Sequence, residues 1–208
     1  MERALRETSD QDRRVSITLG LIHVDLNRYL MLLVDVLAEG DWELGEAKTV
    51  LTGHMDDTSR VLLEDLVRKA NGKGFVVAVH LHEMVSDNSN SLQTLKDTVN
   101  ARPLSVDELS VLLWGLAHSA YFNNDEATLP IVARYLDHEN PKIRLSSVLA
   151  LQMIPGNEAR AMLVKTVSES KDGYREHFLP MLLENRDAMM TQTERRAPGW
   201  KPANNERG

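Results

Sequence analysis

His80, His82 and Glu83 lie close together in the segment Gly74 to Val85, and imidazole and carboxylate groups so placed are the raw material of a metal site or an acid–base pair. The spacing argues against the usual helical version. No second histidine follows His82-Glu83 one turn on, so the i, i+4 pair that grips zinc on one helix face is missing. Lys73, between Gly72 and Gly74, invites a phosphate, yet the P-loop spacing and its following Ser or Thr are absent, and the tripeptide reads as a helix C-cap. No serine sits in a Gly-x-Ser-x-Gly elbow. His23, His54, His118 and His177 share no common spacing and read as ordinary surface or core imidazoles. With no cysteine, the chain has no thiolate nucleophile, no thiolate zinc site and no disulfide. These patterns predict no catalytic residue, no metal ligand and no cofactor, and the protein is expected not to be an enzyme.

Composition points to binding instead. The 208 residues are 42% hydrophobic and 26% charged, ordinary values for a folded chain, and the 5% aromatic content suits a helix-on-helix core of Leu, Val, Ala and Met. A formal net charge of −7 opposes a nucleic-acid role, which needs excess Lys and Arg on one face, and favours a protein partner with a basic surface. Met1 to Arg14 is charged throughout and the apolar run after it is broken by Asp25 and Arg28, so no secretion signal and no membrane partner are expected, and the location is read as cytoplasmic.

The elements that would present a binding surface are helices. Residues 1–14 read as a flexible charged arm, and residues 15–86 as an N-terminal helical part. Its first helix carries Leu19, Ile22, Leu26, Leu30, Leu33 and Leu37 on one stripe from Val15 to a stop at Gly40-Asp41. Trp42 and Leu44 lead into a short helix through Ala47, Val50 and Leu51. Asp57-Thr58-Ser59 then caps a helix bearing Val61, Leu62, Leu66, Val67 and Ala70. Gly74 to Val85 fits both a strand and a helix; a lone strand would find no partner for its ladder hydrogen bonds, so helix is expected. Residues 87–190 read as helical hairpins after the polar linker Ser86 to Ser91. In one, Arg102-Pro103 turns the chain and Ser105 with Glu108 forms a capping box ahead of Leu109, Leu112, Leu113, Leu116 and Ala120. Residues 191–208, with Pro198, Gly199 and Pro202, read as a flexible tail. Trp200 within it is either a short docking motif or part of that tail.

The stretch Leu129 to Ile154 is the most informative. Leu129, Val132, Ala133 and Leu136 make one apolar stripe, Asp137-His138-Glu139 breaks it, and Asn140-Pro141 starts a second helix that Pro155-Gly156 closes. With Pro130 in the first helix, Asp137 in the turn, Asn140-Pro141-Lys142-Ile143-Arg144 and a small-residue-rich second helix, this stretch resembles a HEAT repeat, whose period is about 40 residues. Lys171-Asp172-Gly173-Tyr174-Arg175 echoes the Asn140 to Arg144 run, and Ala159, Leu163 and Val167 echo the core positions. The resemblance implies an all-α fold, a short right-handed α-solenoid of HEAT-like hairpins with a less regular N-terminal part.

It also implies roles. In such repeats the turn Asp and the second-helix Arg are structural, which assigns Asp137, Arg144 and Arg175 to turns and ladders. The second helices line the inner face, which makes Lys142, Ser146 and Gln152, with Trp114 and His118 one repeat earlier, the contact candidates. Tyr121 and Phe122, before the Asn123-Asn124-Asp125 loop, are further anchors of a kind that binding surfaces favour. Leu145, Val148 and Leu149 are expected to face neighbouring helices. The function so implied is a non-catalytic protein–protein interaction module, an adaptor or an inhibitor of the immunity-protein type. The alternative is an enzyme on HEAT-like repeats, similar to the deoxyhypusine hydroxylases, whose iron-binding His-Glu pairs His82-Glu83 and His138-Glu139 resemble, or to the phycobilin lyases.

Overall fold

The fold is given by a computed structural model of the chain, which describes residues 1–40, 45–85, 89–169 and 178–196. All regular structure among the described residues is helical, including Gly74 to Val85. Trp42, Leu44, Arg175, His177 and Trp200 lie outside the described residues. The chain divides into two compact units, Met1–Gly115 and Leu116–Gly208, so the division falls within a helix rather than at the polar segment 86–91.

Unit 1 contains α1 (Glu2–Glu7), α2 (Gln11–Ile22), α3 (Leu26–Ala38), α4 (Gly45–His54), α5 (Asp57–Lys69), α6 (Gly72–Val85), α7 (Ser89–Ala101) and the first part of α8 (Val106–Asn123). The single helix expected from Val15 to Leu37 is two. Asp25 takes an extended backbone and its carboxylate accepts from the Arg28 amide at 3.1 Å, which caps α3 and ends the continuity. The break lets the two halves fold onto each other, burying Leu19 and Ile22 against Leu30, Leu33 and Leu37. Each such side chain contributes roughly 1.5–3 kcal/mol when fully buried. The N-terminal residues expected as an arm are helical in α1 and at the start of α2, where Asp10 caps the Arg13 amide and Gln11 donates to the Val36 carbonyl at 2.6 Å.

Two further local readings change. The cap of α5 is Asp56, one residue earlier than expected, in a reciprocal box with Ser59; the buried face is then Ser59, Leu63 and Val67, and Val61 is 62% exposed. Gly72 opens α6 rather than capping α5, at φ +56°, a conformation that favours glycine. Its amide donates to Glu108 at 2.9 Å. The capping box at the start of α8 is as the sequence predicts: Ser105 N donates to Glu108 Oε2 at 2.8 Å and Glu108 N to Ser105 Oγ at 3.3 Å. Arg102 completes this cluster, reaching Glu108 at 3.3 Å and the Ala70 carbonyl at the end of α5 at 2.7 Å while lying over the Phe75 ring.

Unit 2 contains the rest of α8, a 3-10 turn at Glu126–Thr128, α9 (Leu129–Ala133), α10 (Pro141–Met153), α11 (Asn157–Glu169) and α12 (Phe178–Arg196). The helix α9 is shorter than the stripe to Leu136 suggests, because Tyr135 and Leu136 bond three residues back and tighten the end into a turn. α12 runs on through Thr191 to Arg196, residues expected to belong to the tail. Ile143, Ala150, Leu151 and Ile154 of the α10 region share a core with Ala159, Leu163 and Val167 of α11 and Leu182 of α12. Leu145, Val148 and Leu149 are not part of it, and Leu149 is 37% exposed. The expectation that this side of α10 is the core is therefore corrected. α10 has apolar residues on two sides, and the side bearing Ser147 is the one that neighbouring helices cover; its hydroxyl is satisfied by the Ile143 carbonyl at 2.9 Å.

Candidate binding groove

The start of α10 is fixed locally. Asn140 Oδ1 accepts from the Lys142 amide at 2.9 Å, and Pro141 occupies the first turn, where no N–H is required. Arg144 Nη1 donates to the carbonyls of His138 and Glu139 at 3.0 and 2.9 Å, and the Asn140 amide donates to His138 Nδ1 at 3.0 Å. The turn that presents Asp137 is thus closed by a side chain one helical turn into α10.

Its far end is held from α12. Arg186, only 2% exposed, donates to the carbonyls of Leu151 at 2.8 Å, Gln152 at 3.2 Å, Ile154 at 2.5 Å and Gly156 at 2.6 Å. The first three are carbonyls that the end of α10 leaves without intrahelical partners, at the negative end of its dipole, and Gly156 directly precedes α11. Burial lowers the guanidinium pKa, and the charge of Asp187 works against that. Gly156 takes φ +92°, and a Cβ there would lie 2.5 Å from the Glu126 carboxyl carbon. Sequence reading missed Arg186. The available signal was a lone arginine one helical turn after Leu182, on the same side of α12.

Between these fixed ends lies a groove of about 770 Å³. From α10 it takes Leu145, Val148 and Leu149, and from α11 Ala161 and Met162, with Leu136 before the turn and Phe178 and Leu182 on α12. Leu145, Val148 and Leu149 follow i, i+3, i+4 and make one apolar stripe along α10, while α11 offers Ala161 and Met162 between Glu158 and Lys165. Charged side chains also line the groove: Asp137, Glu158 and Glu169 on one hand, Arg144 and Lys165 on the other.

Of the residues chosen from sequence, Asp137 and Arg144 line this groove; Lys142 is exposed and Ser146 bonds the Lys142 carbonyl, but neither lines it. Gln152 was expected to be an exposed contact and is buried, its amide donating to the Leu182 carbonyl at 3.2 Å. In unit 2, Tyr121 is also buried, its hydroxyl donating to the Met189 carbonyl at 2.8 Å. Phe122 is 53% exposed, and its ring meets His118 edge-on at 4.6 Å. In unit 1, Trp114 is exposed, with its ring 5.6 Å from that of His80. His82 is fully buried and neither ring nitrogen has a hydrogen-bond partner. Burial lowers its pKa to about 4, and the Arg68 cation adds to the shift. His80 is also lowered by burial, against the charge of Glu83.

Among the described residues no group of three or more His, Asp or Glu side chains is placed to hold a metal, and no helix is long and apolar enough to cross a membrane. Compared with known protein families, curated proteins and solved structures, the chain matches none.

Proposed function

We propose that the protein is a non-catalytic protein-binding module, built in its second unit from HEAT-like helical hairpins, and that the groove along α10 and α11 receives an amphipathic helix or peptide with a basic flank. The observation that carries this reading is the apolar stripe Leu145, Val148 and Leu149 of α10, which lines the groove together with Met162 of α11 and Phe178 of α12, with Leu149 37% and Phe178 40% exposed. Side chains of this kind gain roughly 25 cal/mol for each Å² a partner covers, and a groove between two helices suits the helix-in-groove mode of recognition. Among the described residues of the groove, three carboxylates stand against two cations, which, on a chain of net charge −7, favours a basic partner. An adaptor and an inhibitor that masks a basic effector would both use such a surface.

The test places a photo-cross-linking residue at position 149 or 162 in the native host, with position 31, 63% exposed in unit 1, as control. A basic partner is expected at 149 and 162 but not at 31. Its purified form should bind Leu149→Asp at least tenfold more weakly, and associate more slowly as salt is added. Unchanged binding by Leu149→Asp and Met162→Asp, both folded, overturns the reading.

A further inference from the structure

His23 follows the last turn of α2 and His54 ends α4, so both imidazoles hang from helix C-termini, where the backbone dipole favours a cation. Both are exposed, and their rings meet edge to face with centroids 4.6 Å apart. Nδ1 of His23 lies 3.1 Å from Nε2 of His54. The other nitrogen of His54, Nδ1, is 2.9 Å from the Val50 carbonyl oxygen. A carbonyl can only accept, so that Nδ1 carries the proton and the lone pair of Nε2 faces His23. This is the outer hydrogen bond by which metal-ligating histidines are usually oriented.

The distance is the second observation. Two imidazole nitrogens bound side by side to one metal at about 2.0–2.1 Å stand about 2.9 Å apart in square-planar geometry and about 3.4 Å apart in tetrahedral geometry. The separation in unit 1 falls between these values. We propose that His23 Nδ1 and His54 Nε2 form a two-imidazole chelate for a divalent transition metal, copper(II) ahead of nickel(II) and zinc(II), with water completing the coordination. The order follows the affinities of nitrogen ligands for first-row ions. On binding, the metal exchanges two waters for two ring nitrogens. The proton held between the rings leaves His23 Nδ1 and is replaced, from solvent, by one on His23 Nε2. Both rings stay neutral and nothing is oxidised or reduced. The metal then clips the end of α2 to the end of α4, which already pack together, and it should stabilise the folded chain by mass action.

The probe is copper(II) alone, titrated into the full-length, metal-free protein in a buffer that does not chelate. One equimolar site is expected, with electron paramagnetic resonance showing coordination by two imidazole nitrogens and a Tm that rises with copper concentration. His23→Asn and His54→Asn should each weaken binding at least tenfold and remove the rise in Tm, while His118→Asn leaves both unchanged. Equal copper affinity in all three variants, or a spectrum with one imidazole, overturns the proposal. Should either variant fail to fold, nuclear magnetic resonance of the wild type decides: copper must first broaden the ring protons of His23 and His54, and broadening confined to other histidines overturns it.

Discussion

Arg186 Nη2 donates to the Gly156 carbonyl oxygen at 2.6 Å, joining α12 to the turn between α10 and α11. The same guanidinium serves Leu151, Gln152 and Ile154, so one buried side chain satisfies the end of a whole helix. Replacing it by methionine keeps most of the volume and leaves those acceptors unserved. The expected loss is about 3 kcal/mol, from the cost of unsatisfied buried polar groups. Urea denaturation of Arg186→Met checks this, with Arg186→Lys expected to recover only part because an ammonium cannot reach as a planar fork does.

Gly156→Ala is expected to cost about 1–3 kcal/mol, for two separable reasons. The backbone at φ +92° disfavours any Cβ, and the Cβ would meet the Glu126 carboxylate. In the double variant with Glu126→Ala, the steric part should be recovered and the backbone part should remain. Denaturation of both single variants and the double variant separates them.

Leu149 and Leu151 sit two residues apart on α10 and should respond in opposite ways to aspartate. Leu151 is fully buried, so a carboxylate there loses several kcal/mol and unfolds the unit. Leu149 opens on the groove, and its substitution should cost less than about 1 kcal/mol. Thermal melts followed by circular dichroism distinguish the two.

Acid sensitivity should start in unit 1. The unfolded chain protonates His82 near pH 6.5, while burial in the folded chain delays this to about 4. The His82 contribution is therefore complete above pH 6.5 and falls as pH drops from there to about 4, by about 3 kcal/mol, and His80, whose pKa burial also lowers, adds to the slope below pH 6.5. Glu108 extends the loss to lower pH. Burial opposes its ionisation, but hydrogen bonds from Ser105 and Gly72, with the Arg102 charge, prevail and hold its pKa below the usual carboxylate value. His82→Leu, of similar volume, should match or exceed wild-type stability at pH 7 and flatten the slope between pH 6.5 and 4. Urea midpoints across that range provide the measurement.

What was legible in the sequence was what depends on neighbours in the chain. Asn140 before Pro141, and Ser105 three residues before Glu108, are caps whose donors and acceptors lie within one turn, and they stand in the fold as the spacing predicts. The groove was not legible. Leu145 and Leu149 look as much like core as Ile143 and Leu151 do, and which side is covered depends on where α11 and α12 lie. Asp25 was read as an interruption of one helix although it caps a second, because a carboxylate on an apolar stripe has the same signature in both cases. Arg186 and the His23–His54 pair join residues from different helices, and no local period connects them.

Glu108 has a kinetic consequence. Its two carboxylate oxygens receive the Ser105 amide at the start of α8 and the Gly72 amide at the start of α6. The first turn of α8 cannot fray without moving the carboxylate that holds the Gly72 amide, whereas the start of α6 can open with the Ser105–Glu108 box intact. Any opening of α8 that frees the Ser105 amide should then expose the Gly72 amide to solvent hydrogen as well, so that a residue far along the chain from Gly72 limits how long its proton survives.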